Sequence, residues 1–233
     1  MGTMPVDKTE ALRRTMLLGT LDDTTLDQLA QRAIERKLAR NEVIIVEGEN
    51  VAGLYVVVEG SVRAYRTGAD GREQVIHVEG AGGTFAEVPV FDDGIHPSTV
   101  AAESDAIVLL IKKADVRYLC MKHPEIGMAA LRVLASRLRH CAELAESLSL
   151  HEVGQRLARF FLDQARTNGV ETPDGIRFEL NLSKEQIATR LGSVREVVSR
   201  ATARMQKVGL IKTSGRELLV PDMETLSNYA EGG

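Results

Sequence analysis

Cysteine is scarce in this chain of 233 residues: Cys120 and Cys141 are the only two, and no Cys-x-x-Cys pair occurs. Two thiols cannot supply a four-thiolate iron–sulfur or zinc site, so free structural cysteines in a reducing compartment are expected. Long apolar runs are missing too. No stretch approaches the roughly 20 residues a bilayer span needs, and the start, MGTMPVDKTEALRRTMLL, has neither a charged leader before an apolar block nor a cleavage site. These absences predict a soluble cytoplasmic protein with no membrane partner. Motifs of catalysis are lacking as well: there is no Gly-x-Ser-x-Gly, His-Glu-x-x-His, phosphate-binding loop or Gly-x-Gly-x-x-Gly, and no enzyme is expected. With 44% apolar residues, a chain of this length can bury one large core or two ordinary ones without staples.

What is present is concentrated between Leu182 and Arg216, LSKEQIATRLGSVREVVSRATARMQKVGLIKTSGR. Ser183 with Gln186 forms a capping box for a first helix whose apolar face holds Ile187 and Leu191, and Gly192 breaks it. Ser193 with Glu196 predicts a second box, opening a helix in which Val194, Val198, Ala201, Met205 and Val208 share one side. The other side carries Glu196, Ser199, Arg200 and Lys207, with Arg195 near its start. Two helices, a glycine turn and a following hairpin are the layout of a helix-turn-helix reader with a wing.

Charge separates this from an ordinary helical hairpin. Between Arg190 and Arg216 stand seven basic residues and one acidic, a local balance of +6 in a chain whose formal charge is −4. A basic island on an acidic protein is the footprint of phosphate neutralisation, whereas an isolated charge run more commonly marks a solvated helix face. Double-stranded DNA is the expected partner.

Ahead of this region, Thr9 to Arg36 is helical in pattern, with Asp22 or Asp23 as a cap and Leu26, Leu29, Ala30 and Ala33 as an apolar stripe. From about Leu38 to Ile111 the period becomes that of strands. Short segments rich in Val, Ile and Tyr are punctuated by glycines, indicating an antiparallel sandwich or barrel with a hairpin tip at Tyr65–Arg72 and no repeat or low-complexity tract. A helix then begins at Pro124 and runs towards Leu150. On it Leu131, Leu134, Leu138, Cys141, Ala145 and Leu148 alternate steps of three and four, a seam that calls for a partner helix across a dimer axis. Ser149 or His151 marks its break, and Val153, Leu157, Phe160, Phe161 and Ala165 begin the next helix.

The order of parts resembles the CRP/FNR family of bacterial transcription regulators. The resemblance rests on VEGENVAGLYVVVEGSVRAY, GGTFAEVPVFDDGIHPSTVAA, the seam helix and LGSVREVVSRATARMQKVGLI, and it covers nearly the whole chain. It implies an α+β protein: an N-terminal double-stranded β-roll of the cyclic-nucleotide-binding type over residues 1–123, a dimerisation helix over 124–150 and a C-terminal winged helix-turn-helix over 151–233. A regulatory cyclic-nucleotide-binding module without DNA-binding function is the alternative, and the reader argues against it.

The resemblance also suggests roles. Family members that read TGTGA half-sites resemble Arg-Glu-x-x-x-Arg, and those that read TTGAT resemble Glu-x-x-Ser-Arg; Arg195, Glu196, Ser199 and Arg200 satisfy both patterns. A guanidinium matches guanine O6 and N7, and a carboxylate accepts from cytosine N4, so a pseudo-palindrome with a TGA/TCA core is expected. Glu196 also has its capping role. Ser183, Lys184, Lys212 and Arg216 are placed as phosphate contacts. RNA polymerase is the implied protein partner.

In the effector cassette the chain departs from cyclic-AMP-binding relatives. Where those resemble Gly-Glu-Leu and Arg-Ser-Ala, this chain has Ala86-Glu87-Val88 and Pro97-Ser98-Thr99, and Cys141-Ala142 stands at the position of the adenine-contacting pair. A proline in place of the phosphate-neutralising arginine implies no tight cyclic-nucleotide binding, and Glu87 becomes a structural acceptor. Glu87, Val88, Pro97, Ser98, Thr99 and Cys141 are the effector-pocket candidates. The effector is an unnamed small molecule, gas or redox signal. No metal or cofactor is expected; His77 and His96 are the only haem candidates, although a roll histidine is more commonly a surface or hydrogen-bonded one. Cys120 and Cys141 are candidates for oxidation, against the simpler role of small apolar packing.

Overall fold

The computed structural model describes residues 6–232 as two compact units. One comprises the residues through Arg66 with Ile76–Cys141, the other Thr67–Val75 with the residues from Ala142 on. The border falls inside the long helix rather than at either of its ends.

In the first unit, α1 (Lys8–Arg13) and α2 (Asp23–Arg32) are each capped by an aspartate. Asp7 accepts from the Glu10 amide at 3.0 Å and Asp22 from the Thr25 amide at 2.9 Å. The helical pattern stops earlier than the sequence suggests. Ile34 to Arg36 belong to β1 (Ile34–Leu38), which pairs antiparallel with β8 (Ala106–Lys112). As an edge strand, β1 is mostly solvated and carries charges, so it lacks the apolar alternation that marks a strand. The remaining strands are β2 (Val43–Ile45), β3 (Gly53–Glu59), β4 (Ser61–Thr67), β5 (Glu73–Gly80), β6 (Thr84–Phe85) and β7 (Thr99–Ala102). They form two four-stranded antiparallel sheets in the orders β1-β8-β3-β6 and β2-β7-β4-β5.

β3 explains the roll. Its run GLYVV is buried on both faces, because Leu54 and Val56 enter a core shared with helices while Tyr55 and Val57 enter the core between the sheets. Tyr55 stacks on Phe85 there, ring centroids 4.8 Å apart. Two short helices escaped the sequence reading: α3 (Glu87–Asp92) and α4 (Lys113–Lys122). α5 follows as expected, Pro124–Leu150, without interruption.

The second unit holds α6 (Val153–Asn168), β9 (Val170–Thr172), β10 (Gly175–Glu179), α7 (Lys184–Arg190), α8 (Arg195–Lys207), β11 (Lys212–Ser214), β12 (Glu217–Val220) and α9 (Met223–Glu231). Its sheet runs β11-β12-β10-β9 and covers a core that includes Leu157, Phe161, Phe178, Val198, Met205 and Leu226. Among the described residues no helix is long and apolar enough to cross a membrane.

Two glycines test this architecture in opposite directions. A Cβ on Gly53 would lie 1.8 Å from the Ile111 carbonyl oxygen, a fixed backbone atom of the paired strand β8, so Gly53→Ala should destabilise the roll by about 1–3 kcal/mol. Gly127, inside α5, has open space where its Cβ would stand, and Gly127→Ala should stabilise by about 0.5–1 kcal/mol through helix propensity. Denaturant unfolding of the two variants should move in opposite directions; a neutral Gly53→Ala would contradict the β3–β8 register.

Candidate nucleic-acid interface and ligand cavity

The reader starts as its sequence dictates. The Ser183 amide donates to Gln186 Oε1 at 3.0 Å and the Gln186 amide to Ser183 Oγ at 3.2 Å, closing the box that begins α7. Gly192 takes φ +60 in the turn. The second box does not form. The Ser193 amide is still engaged by the Ala188 carbonyl at 2.9 Å, so the chain leaves the turn one residue later and Val194 is the N-cap, with no side-chain cap bond. Glu196 therefore sits one position short of the reciprocal place, and its expected capping role is lost.

Val198 and Met205 are fully buried and fix the roll of α8 about its axis, while Val194 and Val208, the ends of the expected stripe, emerge into solvent. Arg195, Glu196, Arg200, Arg204 and Lys207 are exposed on the outer side. Among the described residues, no hydrogen bond or ion pair engages the side chains of Arg195, Glu196 or Arg200. They can take a partner without breaking a protein contact. Ser199 is half-buried and accepts from Lys184 Nζ at 3.0 Å, which draws Lys184 onto the reading helix. Lys212 and Arg216 are exposed on the wing, and the Arg216 carbonyl accepts from the Leu180 amide at 2.8 Å. Arg190 is half-buried and turned back on its own helix, donating to the Gln186 carbonyl.

In the roll, a cavity of about 790 Å³ lies between β5, the loop before β7 and α5. Of the effector-pocket candidates, Val88, Pro97, Ser98 and Cys141 line it. Glu87 and Thr99 do not. The Thr99 hydroxyl accepts from the Glu47 amide at 3.1 Å, just past the end of β2, and Glu87 is buried, 3% exposed. Glu87 is a structural acceptor: it takes hydrogen bonds from Thr84 Oγ1 at 2.5 Å and from Arg137 at 3.2 Å. Arg137 also pairs with Glu79 at 3.1 Å and donates to the Thr84 carbonyl. Burial holds the Glu79 carboxyl above its ordinary pKa, and Arg137 opposes that shift. Sequence reading missed both Arg137 and Glu79. They lie 58 residues apart, so no local spacing joins them; the only hint was a lone arginine between the seam positions Leu134 and Leu138.

The two histidines differ. His96 is buried and does not line the cavity; its Nδ1 lies 2.6 Å from the Ser98 carbonyl, a structural contact. His77 lines the cavity, and burial, helped by Arg137, pushes its pKa down to about 3, leaving a neutral imidazole. Among the described residues no group of three or more His, Cys, Asp or Glu could hold a metal ion. Cys120 is half-buried, its thiol pKa raised by burial, and Cys141 is exposed.

A cavity-bearing β-roll in one unit and a winged helix-turn-helix in the other define a transcription regulator with a DNA-binding head. Comparison with known proteins gives the same class. The cyclic nucleotide-binding domain family matches residues 35–123, and the Crp-like helix-turn-helix domain family matches residues 155–229. The CRP-like cAMP-activated global transcriptional regulator of Mycobacterium tuberculosis is 28% identical over 221 residues, covering 95% of this chain and 99% of that one. The anaerobic regulatory protein of Haemophilus influenzae is 27% identical over 211 residues, covering 89% and 80%. A solved CRP-family transcriptional regulator from Thermus thermophilus superposes with a TM-score of 0.66 at 29% identity, covering 85% of this chain and 97% of that one. The chain belongs to the CRP/FNR family of transcription regulators.

His77 gives the roll an acid sensitivity of defined sign. Its folded pKa lies below the ordinary 6.5, so the unfolded chain takes up the proton first. The stability this contributes is complete above pH 6.5 and is lost as pH falls towards about 3. Between pH 6.5 and 4.5, His77→Gln should flatten the dependence of unfolding free energy on pH by up to about 1.4 kcal/mol per unit. An unchanged slope would mean that the imidazole is not desolvated.

Proposed function

We propose that this protein is a homodimer that binds a pseudo-palindromic DNA site with a TGA/TCA core and responds to a signal other than a cyclic nucleotide. The observation that carries the DNA reading is the outer face of α8. Arg200 and Glu196 are exposed there; in this reading Arg200 donates to guanine and Glu196 accepts from cytosine, with Arg195 and Ser199 setting the flanking bases. Ser183, Lys184, Lys212 and Arg216 hold phosphates, and Lys184 does so from beside Ser199.

The dimer reading rests on α5. Leu131 is 59% exposed, Leu138 72% and Leu148 38%, recurring with Leu134, Cys141 and Ala145 at heptad spacing on a helix of 27 residues. Burying each large side chain contributes about 1.5–3 kcal/mol, and leaving such a row in water is costly. Leu134, Leu138 and Cys141 also line the cavity, so an occupant and a partner helix would meet the same side chains. RNA polymerase is the proposed partner on DNA. The lack of tight cyclic-nucleotide binding follows from Pro97, which supplies no charge to a phosphate.

Charging the seam with Leu134→Glu and Leu138→Glu should give monomers by sedimentation and abolish binding to the paired half-sites, which must lie about one helical turn apart. A double variant that sediments as a dimer would rule out this seam.

Glu196→Ala separates reading from folding. Because Glu196 does not cap α8, its loss should leave stability within about 0.5 kcal/mol, while in-vitro selection should show discrimination at the cytosine position collapsing. Recovery of the wild-type consensus would remove Glu196 from the base readers.

A further inference from the structure

We infer that the roll cavity takes an uncharged, largely apolar small molecule and rejects organic anions. This rests on the reading of the cavity as the signal-binding site of a DNA-binding regulator, and it names the chemistry of that signal. The volume of about 790 Å³ falls within the range of small-molecule sites. The walls are mainly hydrocarbon, supplied by Ile76, Val88, Pro97, Val133, Leu134 and Leu138.

Positive charge is spoken for. The terminal nitrogens of Arg137 reach Glu79 and Glu87, at 3.1 and 3.2 Å, and the Thr84 carbonyl, while its Nε is buried without a hydrogen-bond partner. Arg66, the other arginine on the wall, pairs with Glu47. The unpaired Nε is covered from solvent, so an entering anion would meet the terminal nitrogens of Arg137, where it would have to displace a carboxylate and leave that group unpaired and largely buried, at a cost a neutral ligand avoids. Pro97 adds neither charge nor an amide donor. His140 lies on the rim with its Nε2 on the Ile76 carbonyl at 2.9 Å. His77 is the polar handle: its imidazole lines the cavity, and no described residue hydrogen-bonds its ring nitrogens, so it can meet one hydroxyl or carbonyl of a neutral ligand.

Two probes with one aromatic body separate the alternatives: N-phenylnaphthylamine, which is uncharged, and anilinonaphthalene sulfonate, which carries a sulfonate. Fluorescence titration of the full-length protein should show saturable, blue-shifted binding of the neutral probe, with the sulfonate at least about tenfold weaker. Val88→Trp, which fills the cavity, should weaken the neutral probe at least about tenfold. Glu79→Gln removes one of the two carboxylates and serves if the tryptophan variant does not fold; it should tighten the sulfonate severalfold and leave the neutral probe unchanged. Equal or tighter sulfonate binding to the wild type, or sulfonate affinity indifferent to Glu79→Gln, would overturn the inference. DNA affinity measured with saturating neutral probe reports on the regulatory reading alone, so the chemistry of the cavity stands or falls on the titrations.

Discussion

The β-roll unit depends on how one guanidinium is held. Arg137 projects from α5 into the roll and is shared by Glu79 at the end of β5 and Glu87 at the start of α3, with the Thr84 carbonyl as a third acceptor. An ion cluster of this kind contributes little net stability, because the desolvation of its members offsets their attraction. Removing one member is a different matter, since a half-buried charge is then left alone. The cluster therefore fixes the geometry of α5 against β5 and α3 and sets the electrostatic character of the cavity beside it. Around that cavity the roll is built from strands with little freedom to shift: β3 is buried on both faces, and Gly53 lies against the backbone of β8.

The reading helix is held differently. Its orientation comes from hydrophobic contacts of Val198 and Met205 on one side and from the turn at Gly192 before it. Its outer side chains make few contacts of their own. This division suits recognition, because the inner face supplies rigidity while the outer face keeps its hydrogen-bonding capacity for a partner. Lys184 and Ser199 are the exception. Their bond occupies an acceptor position on the hydroxyl and leaves its proton available for donation.

α5 joins both themes in one element. At about 1.5 Å per residue, its 27 residues span roughly 40 Å without a break. Its side chains include the anchor Arg137, three lining residues on the exposed leucine seam and a long solvated stretch beyond. The exposed apolar row and the cavity lie on the same turns, so whatever covers one meets side chains of the other.

How much of this could be read from the residues depends on the range of the interaction. The Ser183–Gln186 box, the Gly192 turn, the wing, the uninterrupted helix from Pro124 and the basic island were legible because each is a pattern within a few residues, where backbone preference and side-chain reach decide the outcome. The roll was legible as a class from its short glycine-bounded strands. Tertiary structure decided the rest. It turned Ile34–Arg36 into an edge strand because β8 offered hydrogen bonds that no local propensity records. The turn after α7 kept Ser193 and so moved the cap of α8 to Val194. It brought Arg137 to partners 58 and 50 residues away, took Thr99 out of the cavity and put His77 into it. Contacts closed across that much chain leave no spacing signature, because their geometry exists only once both sheets and α5 have packed.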